Sequence, residues 1–87
     1  MMWEEFDPDD GAPGYVHRRV TDHLGSVIEA QNLAPGTRLP GERALASMLG
    51  VSIGTVRRAL EDLRRRGVVV TLRAKGTFVV AGLGGES

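Results

Sequence analysis

The hydrophobic pattern of this 87-residue chain changes period once, at Gly67. Before that point apolar residues recur at helical spacing. In the stretch from Tyr15 to Gln31, Val16, Val20, Leu24, Val27 and Ile28 line one helix face, and Asn32, Pro35 and Gly36 end it. A short link, Thr37-Arg38-Leu39-Pro40, leads to a second helix from about Glu42 to Leu49. Its apolar stripe is Leu45, Met48 and Leu49, and Gly50 stands where a left-handed C′ residue is expected. A third helix spans Ile53 to Arg66, with Ser52 as N-cap, Val56, Ala59, Leu60 and Leu63 as core face, and Gly67 as closing glycine. Beyond Gly67 the spacing is extended. Val68-Val69-Val70-Thr71-Leu72 and Thr77-Phe78-Val79-Val80 are β-branched or aromatic runs around Arg73-Ala74-Lys75-Gly76, the pattern of a hairpin.

Three helices followed by a two-stranded wing is the order of a winged helix-turn-helix, mainly α with a small β-hairpin. The turn between the second and third helices, Gly50-Val51-Ser52, is short and contains glycine, as that motif requires. The second helix of such a pair enters the DNA major groove. The length allows one domain, expected over residues 15–81. Residues 1–14 combine turn formers with like charges and read as a disordered acidic leader; residues 82–87 read as a flexible glycine-rich tail.

Several functions are excluded at this level. No apolar run approaches the roughly 18 residues of a membrane span, and the N-terminus lacks the basic and apolar regions of a secretion signal. A cytoplasmic, nucleoid-associated protein without a membrane partner is expected. With no cysteine there is no disulfide scaffold or thiolate zinc site, and His17 and His23, six residues apart, lie on different faces of the first helix. No metal or cofactor is expected. Ser52 has no histidine or acid at a spacing that would activate it, so the chain does not read as an enzyme.

The formal net charge is zero, from eleven basic and eleven acidic residues. Five acids, Glu4, Glu5, Asp7, Asp9 and Asp10, fall in the first fourteen residues, which hold no base; from Tyr15 onward eleven bases face six acids, a formal +5. A basic domain thus follows an acidic leader, in which Trp3 and Phe6 resemble a short interaction segment. A leader folded back on the domain would compete with phosphate for Arg43, Arg57 and Lys75.

The stretch Leu39-Pro40-Gly41-Glu42-Arg43-Ala44-Leu45-Ala46, the run from Leu49 to Leu60, and Gly67 with Gly76-Thr77-Phe78-Val79 resemble the DNA-binding domain of the GntR family of bacterial transcription regulators. With Tyr15 and Pro35-Gly36 the similarity extends from Pro13 to Val80. It implies that the arginine of the Leu-Pro-x-Glu-Arg motif, the start of the third helix and the wing tip touch DNA, which points to Arg43, Ser52, Thr55, Arg57 and Lys75. Three positions depart from the usual pattern: Gly41 replaces a common serine, Ile53 a frequent arginine, and Ala74 a frequent wing-tip glycine. Regulators of this family usually carry a larger C-terminal effector domain that also dimerises the protein. Such a domain has no room in this chain, which reads as a fragment or a stand-alone unit with an unknown effector.

The residues themselves support a DNA contact. Gly54 costs the helix about 1 kcal/mol relative to alanine and lets it approach a groove closely. Thr55 can meet a thymine methyl, and Arg57 can take guanine N7 and O6 or a phosphate. Ser52 serves mainly to cap and position. Arg58 either joins the DNA face or pairs with Asp62 at i+4. Lys75 and Gly76 form the wing tip, and Arg73 and Arg38 are open to either a DNA or a solvated role. Arg64, Arg65 and Arg66 read as surface cations complementing the helix dipole. The expected function is sequence-specific binding of double-stranded DNA by a repressor, as a homodimer on a palindromic operator. The alternative is a winged helix that docks another protein, which the acidic leader and zero net charge favour.

Overall fold

The computed structural model describes residues 3–8 and 15–80, and the order of elements follows the hydrophobic pattern. Helix α1 runs Val16–Ala30, α2 Glu42–Leu49 and α3 Ile53–Arg65; strands β1 (Val69–Leu72) and β2 (Gly76–Val79) pair antiparallel, with Val70 opposite Phe78 and Thr71 opposite Thr77. The chain is thus a winged helix-turn-helix. Residues 82–87 and 9–14 of the expected tail and leader lie outside the described residues.

Helix ends explain the boundaries. Beyond α1, Asn32 adopts φ +51, and the amides of Asn32 and Leu33 donate to the Glu29 and Ile28 carbonyls, a Schellman closure. Gly67, at φ +76, closes α3 the same way, with Val68 N–H donating to Leu63 O and both of those side chains buried. Gly50 is left-handed at φ +72, as its place in the sequence demands. At the start of α3 the Ser52 hydroxyl accepts from the Thr55 amide at 3.1 Å.

The core gathers Val20, Leu24 and Ile28 from α1, Leu45, Ala46 and Leu49 from α2, Val56, Ala59, Leu60 and Leu63 from α3, and Val68, Val69 and Val79 from the wing. Two expectations fail here. Met48, assigned to the stripe of α2, is 39% exposed, and Ala46 is buried in its stead; Val16, on the expected face of α1, is 38% exposed. Each lies at the margin of its apolar arc, where the neighbouring helix no longer covers it. The face of α1 includes instead the fully buried Thr21, whose hydroxyl donates to His17 O at 2.8 Å and contacts Asp62 Oδ2 of α3 at 3.3 Å.

The link between α1 and α2 is more ordered than its composition suggests. Arg38 forms a β-bridge with Phe78, while Leu39 N–H donates to Thr77 O at 2.8 Å and Val79 N–H to Thr37 O at 2.8 Å. It therefore acts as a third short strand along the outer edge of β2 and drops Leu39 into the core.

Residues 3–8 of the expected leader make contacts with the domain. Trp3 and Phe6 are half-buried against the core, Trp3 O lies 2.8 Å from His23 Nε2, and Phe6 meets the His23 ring at 5.3 Å. The Arg19 guanidinium donates to Asp7 O at 2.7 Å and Pro8 O at 3.2 Å and lies over Phe6. Two aromatic side chains supply enough apolar area to hold residues 3–8 on α1, which like charges and turn formers alone would not suggest.

The wing turns through Arg73, Ala74 and Lys75, with Ala74 at φ +65. A left-handed alanine costs about 1 kcal/mol, which accounts for the glycine that similar wings carry there. Ala74→Gly is therefore expected to raise stability by about 0.5 to 1 kcal/mol in urea denaturation. Ser52→Ala, which removes the α3 cap, should lower it by about 1 kcal/mol in the same measurement.

Candidate nucleic-acid interface

The residues singled out from the sequence come from three separate segments, and the fold brings these together at the start of α2. Burial of Val56, Ala59, Leu60 and Leu63 turns Gly54, Arg57 and Arg58 outward on α3. Arg57 reaches back to α2, its Nε donating to Glu42 Oε1 at 2.9 Å. The same Glu42 lines an open groove of about 260 Å³ between α2 and the wing, together with Arg38, Arg73 and Lys75. Arg43 follows Glu42 on the first turn of α2, whose N-cap Gly41 contributes no side-chain cap. Reading helix, motif arginine and wing thus share one surface around Glu42.

Local geometry assigns parts to individual side chains. Ser52 Oγ, besides capping, donates to Thr55 Oγ1 at 3.0 Å, so the Thr55 hydroxyl is oriented and keeps its own proton to offer. Gly54 is open: a methyl there would meet nothing closer than Ser52 Oγ at 3.8 Å, so packing within the protein does not require a glycine. Ile53 is half-buried against the core, which explains an apolar residue where an arginine was anticipated. Arg57 uses only Nε in its pair with Glu42, and among the described residues its two terminal nitrogens have no other partner.

Cations on the domain divide into two sets. Near the end of α3, Arg65 pairs with Asp62 at 2.7 Å, Arg66 approaches Asp22 at 3.9 Å, and Arg64 donates to Thr71 Oγ1 at 2.8 Å. Asp62 is thus engaged by Arg65 and Thr21, and not by Arg58 as i+4 spacing suggested. Around the start of α2 and the wing, Arg38, Arg43, Arg73 and Lys75 have no side-chain hydrogen bond or ion pair among the described residues; Arg58 on α3 likewise has none. The leader contacts described above fall on Arg19 and His23 of α1, away from this set.

Two contacts were not evident from the sequence. Arg64, read as a solvated cation, ties α3 to the wing through Thr71, which in turn meets Thr77 across the hairpin at 3.0 Å. Arg38 lies with its guanidinium across Gly76. Facing threonines on adjacent strands were the available signal for the first; none marked the second. Among the described residues no group of three potential metal ligands occurs, and no helix is long and apolar enough to cross a membrane.

Comparison with known proteins places this geometry. The family model for bacterial regulatory proteins of the gntR family matches residues 16–79. The HTH-type transcriptional regulator Rv1152 of Mycobacterium tuberculosis is 39% identical over 77 residues, which cover 88% of this chain and 62% of that protein. The histidine utilization repressor of Pseudomonas aeruginosa is 37% identical over 67 residues, 77% of this chain and 27% of that protein. The chain therefore spans less than two thirds of either relative. The crystal structure of the AraR DNA-binding domain in complex with operator ORE1 superposes with a TM-score of 0.76 at 28% identity, covering 87% of this chain and 95% of that one. With the family model spanning nearly the whole described domain, and the fold agreeing with it, the chain belongs to the gntR family of bacterial regulatory proteins.

Proposed function

We propose that this chain binds double-stranded DNA sequence-specifically as the reading unit of a bacterial transcription regulator, with α3 in the major groove and the wing beside it. The observation that carries the reading is the convergence on Glu42 of α3, through Arg57, and of the groove cations Arg38, Arg73 and Lys75. Glu42 holds the Arg57 fork by Nε and leaves the two terminal nitrogens to face guanine N7 and O6. Thr55 offers its methyl and hydroxyl to a base edge, Gly54 admits the groove wall, and Arg43, Arg58, Arg73, Lys75 and the Gly76 backbone meet the phosphates that flank it. Ser52 caps and positions; Ile53 contributes only its outer apolar surface.

The operator-bound AraR domain supports DNA as the partner, and the repressor named among the relatives supports negative control of transcription. A single small domain offers few contacts, so two copies on a palindromic operator are the expected binding unit. The proposal is one of binding, with no reaction, metal or cofactor assigned. A second reading, a winged helix that docks a protein, draws on Val70, Leu72 and Val80, exposed along one face of the hairpin. Retention on heparin that duplex DNA competes away favours the first reading; retention indifferent to DNA favours the second.

In gel-shift titrations on a duplex selected from a random pool, Arg57→Ala should cost about 1 to 3 kcal/mol and relax discrimination at one base pair. Gly54→Ala should separate the two roles of that position. It is expected to raise thermal stability by about 0.5 to 1 kcal/mol and yet weaken DNA binding, because the added methyl meets open space in the free protein.

A further inference from the structure

The wing carries a glycine, Gly76, in a backbone conformation that side chains rarely adopt, and its bare Cα also leaves room for a neighbour. Its φ is +121, and a Cβ built there would stand 2.7 Å from Arg38 Nε, 3.4 Å from its Nη2 and 3.5 Å from Cζ. Arg38 sits on the link strand that bridges to Phe78, so its side chain shares a sheet face with Gly76, two residues before Phe78 on β2. The guanidinium thus lies flat on bare backbone that a larger residue would cover. It is exposed, and no acid or hydrogen-bond acceptor holds it among the described residues. Arg73 and Lys75 line the same groove, and its one acid, Glu42, is already engaged by Arg57 at 2.9 Å. The groove therefore presents three uncompensated cations in a space of about 260 Å³.

We infer that this groove is a seat for one DNA phosphodiester, with Arg38 as the cation that meets it and Gly76 as the residue that makes room for that arginine. The inference rests on the DNA-binding function proposed above and assigns within it a contact that the helix-turn-helix itself does not supply. With α3 in the major groove and the wing beside it, a sugar-phosphate strand bordering that groove passes on the wing side of α3, and the groove, whose Glu42 is bonded to Arg57 of α3, opens on that side. A guanidinium presents paired N–H donors matched to phosphate oxygens. Contact to a phosphate positions the protein without reading sequence.

The test uses the full chain and fluorescence anisotropy with two labelled duplexes, one selected from a random pool by the wild type and one scrambled, over a series of salt concentrations. Arg38→Ala should weaken both duplexes by a similar factor, about tenfold, and reduce the slope of log affinity against log salt by about one. Gly76→Ala, strained at φ +121 whatever its neighbours, should lower thermal stability in both backgrounds but cost DNA affinity only when Arg38 is present. An Arg38→Ala protein with unchanged affinity and slope overturns the phosphate seat. So does one whose loss is confined to the selected duplex, which would make Arg38 a base reader. If Gly76→Ala costs as much without Arg38 as with it, the glycine serves the wing and not the arginine, and that half of the inference fails. Should Gly76→Ala fail to fold, as its thermal melt would reveal, Arg38→Lys supplies the second arm, expected to keep the salt slope while losing part of the affinity. A wild-type chain that selects no duplex overturns the DNA-binding reading itself; a wild type that binds while Arg38→Ala is silent overturns the seat alone.

Discussion

The inner face of α3 is the constraint on which the rest of the domain depends. Val56, Ala59, Leu60 and Leu63 are at most 2% exposed and pack against α1, α2 and β1 together. A helix turns about 100° per residue, so fixing these four also fixes which residues look outward. No freedom remains for α3 to roll about its axis without opening the core. The contact of Thr21 with Asp62 adds a polar registration mark between α1 and α3, and Arg64 with Thr71 does the same between α3 and the wing. Reading helix and wing are accordingly held by one scaffold.

Charge is sorted by pairing more than by number. Two acids of the domain, Asp62 on α3 and Asp22 on α1, meet Arg65 and Arg66 near the far end of α3. Glu42 is the acid amid the cations near α2, and its bond to Arg57 orients that arginine more than it neutralises the surface. Exposed pairs of this kind contribute little stability, typically under 1 kcal/mol, so their value lies in placement. The acidic leader, for its part, is held through backbone carbonyls and aromatic rings.

Most of the fold was legible because helix and strand periods leave long, redundant signals. The three core faces, the Ser52 cap and the closing glycines Gly50 and Gly67 each rest on local chemistry that the chain order reveals directly. What escaped was of two kinds. Residues 37–39 contain no alternating apolar run, and their pairing with β2 is set by where α1 and α2 leave the link, a tertiary fact. Trp3 and Phe6 are two apolar residues in a charged stretch, and whether they pack depends on an exposed patch of α1 that no local pattern displays. At the interface, the motif residues could be nominated from the sequence, but the meeting of Arg57 with Glu42, and of Arg38 with Gly76, could not, since each pair joins segments at least fifteen residues apart.

The link strand has one more effect. By running along β2 it covers that edge, so of the two wing strands only β1 keeps an unpaired outer side among the described residues. That strand is four residues long and offers about two outward-facing residues for pairing. Edges of this kind are templates for strand addition and aggregation when long and flat, and harmless when short. A domain that exposes Val70 and Leu72 beside such an edge is protected from its own copies by brevity, with the equally short β2 edge already occupied from within.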